Sequence, residues 1–138
     1  MRHLAGWEIE GVTALDLSFS PIAASQLIAE GLYARVVFVT SRAAGRERGV
    51  IYERPMRYSS PTAEEVHAHI GDAVMGCVSL ETLLVLCEFH HLLPEQTTII
   101  DVEPEDQMWG PDLSPALQKL VQPAADLALR HAGSALRL

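Results

Sequence analysis

Residues 80–115 read LETLLVLCEFHHLLPEQTTIIDVEPEDQMWGPDLSP. Leu80, Leu83, Leu84, Leu86, Cys87, Leu92 and Leu93 recur there at helical spacing, which predicts a buried helix. Pro94 is expected to stop it, since proline has no N–H and clashes with the preceding turn. Thr97 to Val102, TTIIDV, is short and β-branched, as a core strand should be. Glu103, Pro104, Glu105 and Asp106 then leave the sheet as an acidic loop. Ser114 and Pro115 have the residue types of an N-cap and first helical position. The last helix is expected to run to about Ala132, with Gly133 ending it. Helix, strand, loop, helix is a unit of layered α/β domains.

The earlier half fits the same plan. Residues 11–17, GVTALDL, read as a strand with Asp16 near its C-terminal end. Ser20, Pro21 and Gly31 bracket a helix as cap, first residue and C-terminal stop. Tyr33 to Thr40, YARVVFVT, is nearly continuous in apolar β-formers, the pattern of a central parallel strand. Residues 41–49, SRAAGRERG, form a polar loop rich in arginine. Residues 50–54 read as a short edge strand, because Pro55 follows at once. Thr62 and Glu65 make a capping box for a helix over residues 62–73. There is no internal repeat and no low-complexity tract. The expectation is a single domain, 1–138, of the three-layer αβα class with a mostly parallel sheet and right-handed crossovers.

The chain has 138 residues and a formal net charge of −8. Such an acidic balance offers no footprint for nucleic acid or for an anionic membrane surface, and suits partners with basic patches. No apolar run approaches the roughly 18 residues of a spanning helix, so no membrane insertion is expected. The first residues are too short and polar for a signal peptide. The two cysteines, Cys77 and Cys87, fit a reducing compartment as free buried thiols, and the expected location is the cytoplasm.

An ordered set of short motifs carries a family resemblance. Pro94 after the Leu-rich helix, Val102-Glu103-Pro104, Trp109-Gly110 and Leu113-Ser114-Pro115 stand in the order and at the spacing found in the hydrogenase maturation proteases. The chain resembles that family over most of its length, from about Val12 to the last helix. The resemblance implies a phosphorylase/hydrolase-like αβα fold. It also implies the family's activity, nickel-dependent trimming of the C-terminus of a nickel–iron hydrogenase large subunit.

The departures from the family point elsewhere. The family opens with a strand and a Gly-Asn…Asp-Asp-Gly motif that supplies one nickel ligand, and this sequence begins where the family's second strand begins. The position of a second ligand, an Asp, is held here by Thr40, with Ser41 beside it. A hydroxyl is a poor substitute for a carboxylate on a divalent ion. The position of the third ligand, a His, is held by Gly76. The expected reading is therefore a ligand-depleted, non-catalytic member that binds a large subunit or its maturation partners, with no cofactor. The alternative is an active nickel-dependent endopeptidase, and a further one is an unrelated α/β domain. A homodimer or hetero-complex covering the sheet edge left by the missing strand is also expected.

Ligands of open α/β sheets bind beyond the C-terminal ends of strands. Asp16, Thr40, Ser41, Glu103 and Trp109 belong to that edge, and with Gly76 they form the expected binding surface. His67 and His69 are weak metal candidates: an HxH pair faces one way on a strand but not on a helix. His90 and His91 suit the negative end of the long helix. Cys77 with a nearby histidine is a conceivable nucleophile. Glu103, Glu105, Asp106 and Asp112 read mainly as a solvated acidic loop.

Overall fold

The computed structural model describes residues 8–9, 11–17, 20–76, 79–104 and 113–133. Trp109, Glu105, Asp106, Asp112 and Cys77 therefore lie outside the described residues. The chain divides into two compact units, one from the described residues within 1–15, 37–55 and 97–138, the other from those within 16–36 and 56–96.

The first unit is built on a sheet. β1 (Glu8–Ile9) and β2 (Val12–Thr13) form a two-stranded antiparallel hairpin, turned at Gly11 with φ 79°. This corrects the expected strand over residues 11–17. Its regular part is two residues long and pairs locally, and alanine and aspartate at 14 and 16 do little to extend a ladder. The main sheet has three strands, β3 (Arg35–Ser41), β4 (Ile51–Pro55) and β5 (Gln96–Val102), in the order β3-β5-β4. β3 and β5 lie with their C-terminal ends together, where the Arg42 N–H donates to the Val102 carbonyl at 3.0 Å. β4 sits at the edge, as Pro55 suggested, but runs antiparallel to β5, with Tyr52 opposite Asp101 and Glu53 opposite Ile100. The fold is a mixed α/β one with a small open sheet, and the mostly parallel sheet read from the sequence is corrected in that pair.

Residues opposite one another in an antiparallel pair share a face, and neighbours along a strand alternate. Glu53 and Ile100 share one face. Helix α4, which follows in the chain as Pro115–Ala132, brings His131 Nε2 to 2.8 Å from Glu53 Oε2. The end of α4 thus meets the Glu53 face. Tyr52, Arg54, Ile99 and Asp101 share the other. Ile99 and Ile100 are both fully buried.

The second unit is helical: α1 (Pro21–Gly31), α2 (Ala63–Val74) and α3 (Leu80–Phe89), with α3 packed against both α1 and α2. The caps read from the sequence form. Ser20 Oγ accepts the Ala23 N–H, and Thr62 and Glu65 make the reciprocal capping box. Ala24, Ile28, Val66, Leu83, Leu86 and Cys87 are buried here. Two stops differ from expectation. Gly31 is still helical, and the left-handed residue is the next one, Leu32, with φ 48°. A Cβ on Gly31 would fall 2.0 Å from the Tyr33 ring, so the glycine makes room rather than turning the chain. α3 does not reach Pro94. The His91 N–H donates to the Glu88 carbonyl and the Leu92 N–H to the Cys87 carbonyl at 2.9 Å, with His91 left-handed at φ 54°. This is a Schellman stop, and it ends the helix before proline can act.

Candidate arginine–carboxylate site

The most heavily charged place among the described residues lies where β3 and β5 end. Asp101 is 1% exposed and Glu103 5%, two residues apart and so on one face of the chain leaving β5. Charge at such depth is tolerated only when paired. The loop after β3 supplies the pairing. Arg46 Nη1 donates to Asp101 Oδ1 at 2.5 Å, and Arg46 Nε to Glu103 Oε2 at 3.2 Å. Arg46 Nη2 closes the loop on itself by donating to the Arg42 carbonyl at 3.2 Å. Its guanidinium carbon lies 4.2 Å from the centre of the Tyr52 ring, a cation–π contact, and the Tyr52 hydroxyl donates to the Glu47 carbonyl.

Glu103 takes the rest of its bonds from backbone. The Ala44 N–H reaches Oε1 at 2.9 Å and Oε2 at 3.0 Å, and the Gly45 N–H reaches Oε1 at 3.1 Å. Gly45 has φ 70°, a conformation open to glycine. Burial alone would raise the Glu103 carboxyl. The N–H groups of Ala44, Gly45 and Arg46 and the Arg46 guanidinium outweigh it and hold the group below the usual carboxylate range. Glu103 is therefore a buried acceptor that folds the 41–49 loop, which corrects the reading of it as part of a solvated loop.

Two further arginines approach Asp101. Arg42 Nε lies 3.4 Å and Arg54 Nε 3.9 Å from Asp101 Oδ2, and that oxygen and the Arg54 Nε make no hydrogen bond. Asp101, Arg42, Arg46 and Arg54 were not singled out from the sequence. The signal was available: an aspartate inside an apolar strand, opposite a loop with arginines four apart, needs a cationic partner.

The expected surface residues divide between the units. Thr40 and Ser41 lie at the end of β3 beside this site, and the Thr40 hydroxyl donates to the Ser41 carbonyl at 3.4 Å. Asp16 and Gly76 belong to the helical unit and are exposed. Gly76 follows α2 with φ 90°. His67 and His69 are both on α2, so they do not face one way. His67 is exposed, while His69 Nδ1 lies 3.1 Å from the hydroxyl of the buried Thr82 of α3 and so joins the two helices. Cys87 is buried, and burial first, then Glu88, pushes its thiol up to about 11. It is no nucleophile at neutral pH.

Nickel does not fit the positions that the family resemblance assigns. Thr40 offers a hydroxyl, and Gly76 no side chain on a backbone that disfavours any. The buried carboxylates at the end of β5, Asp101 and Glu103, already take bonds from arginine and N–H donors. Among the described residues no group of three or more His, Cys, Asp or Glu is placed to share an ion. Nor, among them, is any helix long and apolar enough to cross a membrane.

No family model matches the chain, and no curated protein does. Among solved structures it is similar to the hydrogenase 2 maturation peptidase from Thaumarchaeota archaeon SCGC_AB-539-E09, with 23% sequence identity and a TM-score of 0.47. The match covers 73% of this chain and 64% of that one, so this chain spans less than two thirds of that structure's length.

Proposed function

We propose that this protein is a non-catalytic relative of the hydrogenase maturation proteases, which binds a nickel–iron hydrogenase-type large subunit or a protein of its maturation without cutting it. One observation supports this most. The positions that the resemblance assigns to metal ligands hold Thr40 and Gly76, and the buried carboxylates at the end of β5 are taken up by Arg46 and the N–H groups of Ala44 and Gly45, with Arg42 and Arg54 beside Asp101. Arginines bound in this way make a fixed recognition surface, not a vacant coordination site. The motifs from Pro94 to Pro115 supply the link to hydrogenase maturation, and a role as an assembly factor in the cytoplasm accords with them.

The surface would comprise Thr40, Ser41 and the rest of the 41–49 loop. β3 is an edge of the sheet among the described residues, and a sheet edge is a surface that a partner strand or a second copy could cover. The test is co-purification of the full chain with a tagged large-subunit precursor. Stable co-elution is expected, weakened by Arg46→Ala. Separate elution at micromolar concentrations of both proteins would contradict the proposal.

A further inference from the structure

The arrangement around Asp101 leaves a charge unused. Three guanidiniums face two carboxylates, so the cluster keeps one positive charge on a chain whose net charge is −8. Arg46 is spent: its side-chain donors go to Asp101, Glu103 and the Arg42 carbonyl, and its side chain is 22% exposed. Arg42 and Arg54 are different. Their side chains are 50% and 41% exposed. Each turns its Nε toward the same oxygen, Asp101 Oδ2, and among the described residues their terminal nitrogens donate no hydrogen bond. That oxygen is itself buried and without a hydrogen bond.

Two like charges drawn to one oxygen repel each other, and the shared oxygen satisfies neither. An anion set against their outer edges would relieve the repulsion and use the free N–H groups in the paired geometry that guanidinium favours. We propose that Arg42 and Arg54, positioned by Asp101, are a receptor for a carboxylate of a partner polypeptide, an acidic side chain or a C-terminus. A singly charged carboxylate cancels the one spare positive charge, whereas a phosphate dianion would overshoot it. The inference rests on the reading above that the site serves binding.

Sodium acetate is the probe, and the arginine Nε–H resonances of the 15N-labelled full chain are the readout. At constant ionic strength, acetate is expected to shift the Arg42 and Arg54 signals saturably, and chloride is not. Arg42→Gln or Arg54→Gln should weaken the response at least about tenfold, the scale of losing a charged hydrogen bond. Shifts no different from those in chloride would overturn the inference. So would an equal or larger response to inorganic phosphate. If a variant does not fold, the acetate and chloride comparison on the unaltered chain still decides. Acetate binding together with separate elution from the large-subunit precursor would remove the partner proposed above and leave the receptor standing.

Discussion

Asp101 shows why a single residue can hold this region together. It is nearly inaccessible, yet charged partners reach it from the loop after β3 and from β4. Removing its charge strands the arginines, and breaking a buried pair from one side costs about 3 kcal/mol. Asp101→Asn should therefore lower stability by roughly that amount in urea unfolding; a loss below about 1 kcal/mol would show that solvent screens the cluster. Glu103 gives a pH signature. Its carboxyl is held low in the folded state, so unfolding takes up a proton. The stability it adds is present above its ordinary value, about 4.5, and is lost as pH falls through the folded value. Below that ordinary value, the unaltered chain should lose stability with falling pH more steeply than Glu103→Gln. Cys87 should resist alkylation. With Cys77→Ala in place, the folded chain should react with iodoacetamide far more slowly at pH 7.5 than the urea-unfolded chain, because burial keeps the thiol protonated.

Most of the helices and strands were legible in the sequence, because caps and periodicity are local. Ser20, Thr62 and Ser114 all accept the N–H groups their positions imply. Where the reading failed, the deciding contact was not local or the stop signal was not glycine. Val12 and Thr13 pair with Glu8 and Ile9 rather than with the main sheet, a choice that apolar pattern does not encode. α3 ends at His91 in a left-handed conformation, which histidine adopts at a cost of roughly 1 kcal/mol. His91→Gly should relieve that cost and raise stability by about 0.5–1 kcal/mol in thermal unfolding. A loss instead would mean that the imidazole makes a contact worth more than the strain. The arginine–carboxylate cluster was missed for the first reason. Arg42, Arg46 and Arg54 lie 47 to 59 positions before Asp101 in the numbering, and only the β4–β5 register and the loop after β3 bring them together.

At the scale of the whole molecule, the ends of β3 and β5 carry buried carboxylates that arginine and backbone N–H groups already hold. Thr40 and Gly76 could be compared with the family from the sequence because each is a single position. The arginine–carboxylate cluster could not be read there, because it depends on side chains converging from β4, β5 and the loop after β3. The most direct measurement is the mass of a nickel-loaded hydrogenase large-subunit precursor after incubation with equimolar chain, read by intact-protein mass spectrometry. The precursor should keep its full mass. Loss of a discrete C-terminal peptide that requires this protein would contradict the account.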